Sequence, residues 1–395
     1  MPHMNKPIPA PDAPQPIPGA RLLFSNDASV AQLNHGSFGM VPIAVQRAQQ
    51  RLRDEMEANP HRFFSVGLEE RITHVRRHLA TFVGADPDGS ALVNNASTGT
   101  SIVLSSLGLA ADDEIVTTDH GYGAVDLAVD EICRRTGAVH RVAPVPLVAD
   151  DATVTAAVLA AITPRTRLVI VDLITAATAQ VFPVRRIIEA VRAAHGERVA
   201  IHIDAAHGPG LLDEPVRELD ADFWVGNLHK WAYAPRGTAL LAVAPAWRAR
   251  IRPLVLSWST EAGFPASLEW LGAHDYTPWL AAPTGLFVLR SLGLETVRRH
   301  NTALAEHGRR LVADALGGEV LPATGLPMTL VPLPPGVAAD LTSAVALRRR
   351  ISDELSAEVG LAAWHGRGYL RLSAQVYNRV DDFQRLADGL PKLIR

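Results

Sequence analysis

A lysine and an aspartate each follow an apolar run in this sequence, and both are residue types that handle a reactive cofactor. Asp204 ends the run 199–203, and Lys230 follows a second run with His229 and Trp231 on either side of it. A lysine amine can form a Schiff base with an aldehyde cofactor, and a buried aspartate can keep a ring nitrogen protonated. A lone lysine would most often lie at the surface. The pairing with Asp204 instead predicts a site for an aldehyde cofactor.

A phosphate group could be held where an earlier apolar run gives way to a helix. Ser97 and Thr98 lie at this point, in the segment Asn94–Gly99. Backbone N–H groups at a helix start and nearby hydroxyls bind phosphate. An ordinary helix N-cap uses the same residue types, so the residues alone leave both interpretations open.

Two aromatic residues, His120 and Tyr122, follow the next apolar run. Either ring could stack on a flat cofactor, although a partly buried loop aromatic is the simpler interpretation of each residue alone. Further on, the alternating stretch Tyr369–Ser373 places Arg371 on one face of a predicted strand. An arginine there can bind a substrate carboxylate through two hydrogen bonds, and a surface salt bridge is the alternative.

These residues must be positioned by an alternation of apolar runs and helical patterns that begins near residue 90. The predicted strands are 91–94, 114–118, 167–172, 199–203, 221–225 and 238–243, and the predicted helices between them are 100–107, 123–135, 151–162 and 183–194. This rhythm predicts an α/β fold with a mostly parallel sheet covered on both faces. Ligands bind at the carboxyl ends of such strands, which is where the polar residues fall.

The pattern changes beyond residue 282, where a smaller α+β domain is predicted. Its predicted elements are helices at 284–316 and 341–359 around a proline- and glycine-rich strand region at 321–337, then a strand at 368–373 and a helix at 381–394. We therefore predict a flexible proline-rich tail (1–28), an N-terminal segment packing with the small domain (29–75), a large cofactor-binding domain (76–283) and a small C-terminal domain (284–395).

The composition excludes several classes of protein. A formal net charge of −3 without a dominant basic run disfavours nucleic acid and anionic membranes as partners. The single cysteine, Cys133, excludes an intrachain disulfide and a cysteine-based zinc site, and it favours a cytoplasmic protein. No apolar run is long enough to span a membrane. The 15 histidines show no metal-ligand spacing, so we expect no metal.

Several segments together resemble the class V aminotransferase group of fold-type I enzymes, which depend on pyridoxal 5'-phosphate. The resemblance is to the isopenicillin N epimerase-like branch, which includes cysteine C–S lyases and enzymes of lincosamide antibiotic pathways. The matching segments are 33–39, 59–64, 92–107, 112–123, 202–210, 226–237, 269–283 and 371–378. The resemblance implies a seven-stranded-type, mostly parallel sheet in the large domain, a small α+β domain and a homodimer.

The resemblance also implies roles by position. Lys230 would form the aldimine with the cofactor and move protons, Asp204 would face the pyridine nitrogen, and His207 would lie near the ring O3′. The phosphate ligands would be Ser97, Thr98, Asn227 and His229. His120 would stack on the ring, with Tyr122 as the second candidate. The substrate would meet Asn34, His35 and Arg371.

Three positions depart from the pattern of the branch. Leu173 stands where a histidine is common and Ala176 where a serine is common, which makes the substrate side less polar. Ala273 replaces a threonine that usually reaches the phosphate of the neighbouring subunit. These departures favour a specialised, antibiotic-type biosynthetic enzyme over a housekeeping one. We expect the substrate to be a small amino acid or a cysteine S-conjugate.

The lone Cys133 lies in a predicted helix, not in the C-terminal loop where cysteine desulfurases of this class carry their nucleophile. The expected chemistry therefore starts with removal of the Cα proton by Lys230 to give a quinonoid. We expect C–S cleavage by β-elimination, with epimerisation, transamination and decarboxylative oxidative deamination as alternatives. His120, Tyr122 and His35 are the candidates for a second acid or base. A degenerate binding or regulatory subunit would be expected to lack Lys230 or Asp204, and both are present.

Overall fold

The chain forms two compact units in the structure, a computed structural model that describes residues 13–395. The large unit spans Phe38–Ser291, and the small unit combines the residues up to Ser37 with Leu292–Arg395. Part of the predicted tail, residues 1–12, lies outside the described residues. Its remainder contains a 3-10 helix at Ala20–Leu23, and Phe24 after it is buried with its ring 5.1 Å from that of Tyr377. The tail prediction was therefore wrong for this stretch, because Phe24 is held by packing.

Twelve strands and fifteen α-helices are found in the described residues. The strands are β1 (Ala31–Gln32), β2 (Ser90–Val93), β3 (Glu114–Thr118), β4 (Val139–Ala143), β5 (Thr166–Asp172), β6 (Ala200–Asp204), β7 (Phe223–Asn227), β8 (Ala239–Val243), β9 (Met328–Pro332), β10 (Ala357–Glu358), β11 (Gly360–Trp364) and β12 (Arg367–Ser373). The helices are α1 (His35–Phe38), α2 (Ile43–Ala58), α3 (Pro60–Ser65), α4 (Leu68–Val83), α5 (Ala96–Ser106), α6 (Gly123–Thr136), α7 (Asp151–Ala161), α8 (Val184–His195), α9 (Leu228–Trp231), α10 (Pro245–Arg248), α11 (Ala266–Glu269), α12 (Thr277–Leu292), α13 (Leu294–Ala315), α14 (Leu341–Leu355) and α15 (Val380–Leu393).

The large unit is built on a seven-stranded sheet in the order β2-β8-β7-β6-β5-β3-β4. Only β8 among these strands runs against its neighbours, and the other pairs are parallel. This confirms the predicted α/β fold with a mostly parallel sheet. The edge strand β4 was missed, because its sequence carries His140 and Arg141 and is buried only at Ala143. An edge strand lacks the continuous apolar signal of a strand covered on both faces.

The sheet brings three strand-to-helix connections to one edge. Helix α5 follows β2, α6 follows β3 and α9 follows β7. Helix α5 sits directly against β7, because Gly99 has no side chain where an added Cβ would lie 2.6 Å from Val225 Cγ2. A buried apolar cluster that includes Val103, Val129 and Val225 fixes α5 and α6 on this face of the sheet.

The small unit contains an antiparallel sheet in the order β11-β12-β9 and a short parallel pair, β1 with β10. Its buried cluster joins residues of α13, α14 and α15 with Leu370 and Leu372 of β12. Alternation on β12 leaves Arg371 between these two leucines and on the opposite face. The predicted helix 284–316 is interrupted at Gly293, which has a φ of 81° and separates α12 from α13.

The boundaries of the two units differ from the predicted domains. Residues 38–75 were expected to pack with the small domain, yet they belong to the large unit. An added Cβ on Gly39 would collide with the backbone carbonyl of His229, and Arg53 forms an ion pair with Asp275 at 3.2 Å. Helix α12 also belongs mainly to the large unit, because Gly285 packs against the backbone of Tyr233. No helix among residues 13–395 is long and apolar enough to cross a membrane.

Candidate active site

Lys230 lies in α9, the short helix that begins directly after β7. Its Nζ is 3.1 Å from Nε2 of His207, which is 1% exposed and follows β6. The indole Nε1 of Trp231 donates a hydrogen bond of 3.1 Å to Nδ1 of the same histidine. Neighbouring strands β6 and β7 thus bring a lysine, a histidine and a tryptophan into one chain of hydrogen bonds, which we call the lysine cluster together with Asp204 and Asp172.

Two buried carboxyl groups end the adjacent strands β5 and β6. Asp172 and Asp204 are paired in register, so their side chains lie side by side on one face of the sheet. Burial and the neighbouring Asp204 raise the pKa of Asp172 well above its ordinary value. Burial also raises the pKa of Asp204, but the N–H of Ala206, at 2.9 Å, opposes that rise. Asp204 therefore has a hydrogen-bond donor that favours its charged form, whereas burial and Asp204 favour the protonated form of Asp172.

His120 is completely buried, and hydrogen bonds occupy both of its ring nitrogens. Nε2 is 2.9 Å from the carbonyl oxygen of Val145, and Nδ1 is 2.6 Å from the hydroxyl of Thr178. A carbonyl can only accept, so Nε2 donates to Val145, and Nδ1 pairs with the Thr178 hydroxyl. The Thr175 hydroxyl, 2.7 Å from that of Thr178, extends the network. Hydrogen bonds at both ring nitrogens thus fix the ring in place.

The start of α5 is capped and clamped by two asparagines. Asn95 accepts hydrogen bonds from the backbone N–H of Thr98 at 2.8 Å and from its hydroxyl at 3.1 Å. Asn227, the last residue of β7, accepts from the N–H of Ala96 at 2.9 Å. The helix N-cap is therefore Asn95, and the half-buried Ser97 and Thr98 form the first turn. Through Asn227 this turn is tied to the strand that leads into Lys230.

His229 occupies a position that suits a phosphate ligand only in its charged form. Its Nδ1 is 3.1 Å from the carbonyl oxygen of Thr238, so Nδ1 donates. Burial lowers the pKa of His229 to about 4. In the neutral form Nε2 is an acceptor, so His229 cannot donate to a phosphate oxygen unless it is protonated.

Tyr122 and the two apolar positions of the substrate side differ in exposure. Tyr122 begins α6 and is 48% exposed. Leu173 and Ala176 are both buried. The Cδ2 atom of Leu173 would lie 3.2 Å from a Cβ added to Gly208. Leu173 therefore packs against the turn that carries His207.

In the small unit, Arg371 is held by two residues near the start of the described chain. Its Nη2 donates to Ser37 Oγ at 2.7 Å and to Asn34 Oδ1 at 3.2 Å. The hydroxyl of Ser37 in turn donates to Asn34 at 2.7 Å. We call these three residues the arginine cluster. It unites Arg371 and Asn34, two of the three residues predicted to meet the substrate.

The third of those residues, His35, is buried among other side chains of the small unit. Its Nδ1 is 2.9 Å from the Tyr377 hydroxyl, and its Nε2 is 3.3 Å from the amide nitrogen of Gln375. The Gln375 oxygen accepts from Asn301 at 2.6 Å, so the amide nitrogen points to His35 and donates. His35 therefore donates from Nδ1 to Tyr377, and both nitrogens are committed within the small unit.

The comparisons with known proteins match this fold and cluster. The family model for class V aminotransferases matches residues 38–323. The chain is 32% identical to the isopenicillin N epimerase of Streptomyces clavuligerus, covering 93% of this chain and 96% of the relative. It is 28% identical to a probable chloroplastic L-cysteine desulfhydrase of Arabidopsis thaliana, covering 94% and 84%. The solved complex of the cystine C–S lyase C-DES with cysteine persulfide has the same fold, with a TM-score of 0.77 at 20% identity, covering 92% of this chain and 98% of that one.

The fold and the matches define an enzyme of the fold-type I class that depends on pyridoxal phosphate. The chain belongs to the class V aminotransferase family.

The residues of the large unit fit pyridoxal phosphate chemically. Lys230 supplies a primary amine for the aldehyde, and the first turn of α5 supplies hydroxyl and N–H groups for a phosphate. Asp204 is 3% exposed and accepts a hydrogen bond from the N–H of Ala206, so a cationic ring nitrogen would give its buried carboxylate an opposite charge. Lys230, Asp204, Ser97 and Thr98 would hold the group.

Several residues of the site escaped prediction from sequence. Trp231 was noted only as a neighbour of Lys230, and Asp172 only as the end of a strand. Thr178 became visible only through its contact with His120, 58 residues earlier. For Asp172, the sequence signal was the apolar strand pattern that ends at this residue. Two parallel strands that both end in an aspartate bring their carboxyl groups side by side, as β5 and β6 do with Asp172 and Asp204.

Proposed function

We propose that this enzyme cleaves the C–S bond of a cysteine S-conjugate by β-elimination. The balanced reaction converts the conjugate and one water into a thiol, pyruvate and ammonium. The Cα–H and Cβ–S bonds break, the sulfur leaves with its electron pair and is protonated, and the released aminoacrylate is hydrolysed. Relatives named as L-cysteine desulfhydrases, 28–29% identical over more than 90% of this chain, support this class of substrate.

Lys230 is the residue that moves the proton at Cα in this proposal. Bound pyridoxal phosphate supplies an electron sink for the carbanion that the proton leaves behind. Asp204 stays ionised beside the ring nitrogen because Ala206 N–H and a positive neighbour stabilise its charge. His207, which is 1% exposed, holds the Lys230 amine at 3.1 Å. Arg371, oriented by Ser37 and Asn34, binds the substrate carboxylate.

The observation that carries the choice of elimination is the state of His120. Epimerisation requires a second acid or base on the opposite face of Cα. His120 is one of the three candidates for that group, and its hydrogen bonds to Val145 and Thr178 already occupy both ring nitrogens. A ring so fixed suits stacking on the cofactor. Elimination needs only one base at Cα, and Lys230 supplies it.

A persulfide mechanism does not suit Cys133. The residue lies in α6 and is 7% exposed, and burial raises the pKa of its thiol. A buried, protonated thiol is a poor nucleophile. The sulfur is therefore expected to leave as a thiol, and Cys133→Ser should keep the activity within about two-fold.

Epimerisation at Cα is the second candidate. The isopenicillin N epimerases of Streptomyces clavuligerus and Amycolatopsis lactamdurans are 32% and 33% identical to this chain. Tyr122, 48% exposed at the start of α6, is the one predicted acid or base whose ring is not committed by its surroundings in the described residues. Inversion without pyruvate would favour this candidate.

The setting of the enzyme is also part of the proposal. A homodimer is supported by an exposed apolar stretch of the large unit, in which Leu256 is 79% and Trp258 is 99% exposed. Such a patch marks an interaction surface more often than a free one. The single cysteine, Cys133, suits the cytoplasmic location that is part of the proposal. The apolar Leu173 and Ala176 favour a role in antibiotic-type specialised metabolism over the housekeeping use of free cysteine.

Incubation of the cofactor-loaded enzyme with S-alkyl-L-cysteines of increasing size tests the proposal. We expect equal amounts of pyruvate and thiol, with activity retained in Cys133→Ser and lost in Lys230→Ala. Inversion at Cα, transfer of the amino group, or oxygen consumption without pyruvate would each contradict β-elimination.

A further inference from the structure

Trp231, which follows Lys230 in the sequence, contacts His207, the histidine that lies against the Lys230 amine. The Trp231 indole donates to Nδ1 of His207 at 3.1 Å, and Nε2 of that histidine lies 3.1 Å from Lys230 Nζ. Trp231 and His207 are 2% and 1% exposed. The backbones are in contact as well, because an added Cβ on Gly210 would lie 2.5 Å from the Trp231 carbonyl carbon. The pair is therefore held in register from both the side chains and the backbone.

The positions of the protons follow from this chain of contacts. An indole N–H can only donate, so Nδ1 of His207 must present its lone pair. A histidine whose Nδ1 accepts is neutral and carries its proton on Nε2. That proton points to Lys230 Nζ, which accepts it as a neutral amine. An ammonium group has no lone pair and could not take this place.

We propose that Trp231 is a positioning residue that fixes His207 as the Nε2–H tautomer and thereby keeps a second positive charge away from the Lys230 nitrogen. The proposal rests on the assignment of Lys230 as the residue that binds the cofactor. It gives His207 the role of a hydrogen-bond donor and excludes it as the base that accepts a proton from Lys230. Proton transfer at Cα is then left to Lys230 itself.

The other titratable groups of this part of the large unit do not replace Trp231. Asp204 at the end of β6 and Asp172 at the end of β5 are both influenced by Lys230. His229, on α9 itself, has a pKa lowered to about 4 and is neutral near pH 6. Without the indole N–H, Nδ1 of His207 can take up a proton, and the ring can then become positively charged as the pH falls.

The chain offers matched controls for a Trp231→Phe substitution. Trp224 is 1% exposed, and its Nε1 has no hydrogen-bond partner among the described residues. Trp279 is equally buried, and its Nε1 donates to the carbonyl of Gly237 at 2.9 Å. Trp224→Phe therefore removes the same atoms without a hydrogen bond, and Trp279→Phe removes a buried hydrogen bond that does not involve His207.

The experiment measures binding of pyridoxal phosphate to the full-length apo-protein, and the pH titration of the bound cofactor's absorbance, without an amino-acid substrate. For Trp231→Phe, the apparent Kd should rise about ten-fold at pH 6 and less than about two-fold at pH 8, because an imidazolium disfavours a cationic Lys230 nitrogen. A new inflection should appear between about pH 5.5 and 7.5. The two control variants should show neither change.

A further substitution tests whether the effect passes through His207. Glutamine can donate to Lys230 but cannot titrate, so His207→Gln combined with Trp231→Phe should lack the new inflection. The proposal is overturned if Trp231→Phe titrates like the wild type, if the controls gain the same inflection, or if the double variant retains it. Failure of wild-type Lys230 to bind the cofactor covalently would instead contradict the proposed function.

Discussion

The lysine cluster of the large unit and the arginine cluster of the small unit are both groups of polar side chains. They differ in whether their side chains can change charge near neutral pH. The lysine cluster contains two carboxyl groups whose pKa values are raised and a histidine held neutral by Trp231. In the arginine cluster, a guanidinium that is charged at any physiological pH is oriented by Ser37 and Asn34, neither of which is ionisable.

This difference separates two tasks of an enzyme that acts on amino acids. Burial shifts the pKa values of the two carboxyl groups in the lysine cluster, and shifted pKa values are common in sites that move a proton. A guanidinium oriented by a hydroxyl and an amide keeps its charge for an anionic ligand. We therefore expect changes in the lysine cluster to affect the rate of the chemical step and changes in the arginine cluster to affect substrate binding.

The largest effect is expected from Asp204→Asn, which keeps the shape of the side chain but removes its charge. Without an anion beside the ring nitrogen, the cofactor becomes a weaker electron sink, and kcat should fall by about 10²- to 10³-fold. Steady-state kinetics with an S-alkyl-L-cysteine, together with the absorbance spectrum, provide the measurement. A loss below about ten-fold would show that Asp204 does not face the ring nitrogen.

Arg371→Lys keeps the positive charge but loses the planar pair of donors. We expect KM to rise about 10- to 100-fold while kcat changes by less than about three-fold. Arg367→Lys in the same strand is the matched control, because Arg367 contacts Glu319 at 3.5 Å and lies outside the arginine cluster. An equal rise in KM for both variants would remove the assigned role of Arg371.

The smallest effect is expected from Asp172→Asn, since burial and Asp204 raise the pKa of Asp172 and so favour its protonated form. The folded protein binds this proton more tightly than the unfolded chain, whose pKa is near 3.8. The resulting stability is complete below that pH and is lost as the pH rises through the raised pKa of the folded state. Asparagine has no proton to lose.

Tm should therefore be measured by calorimetry of the apo-protein from pH 5 to 9. As the pH rises, the Tm of Asp172→Asn should increase relative to that of the wild type by on the order of a few degrees. Parallel curves for the two proteins would contradict a protonated Asp172. In the same preparation kcat should stay within about ten-fold of the wild type, unlike that of Asp204→Asn.

The sequence predicts the central strands well, because β3, β5 and β6 are continuous apolar runs buried on both faces. Strand β11 was missed for the same reason as β4, since only its first residue is buried. The break between α12 and α13 was also missed, since Gly293 interrupts an otherwise regular helical pattern.

The residues of the site also fall into two groups, those that local sequence patterns reveal and those that depend on distant contacts. Lys230 and Asp204 could be found because each stands at the end of an apolar run, and the family resemblance supplied their roles. The tautomers of His207 and His120 could not be found, because they depend on Trp231 and Thr178, which lie 24 and 58 residues from them. Such pairings are set by the order of strands in the sheet, which a single sequence does not display.

The covalent attachment of pyridoxal phosphate to Lys230 is the central claim, and one measurement tests it directly. The cofactor-loaded protein is reduced with borohydride, digested and mapped by mass spectrometry. The account predicts a single phosphopyridoxyl group, located on Lys230, and loss of the near-visible absorbance band on reduction; Lys230→Ala should carry no label. A label on another lysine, or a labelled Lys230→Ala protein, would contradict the account.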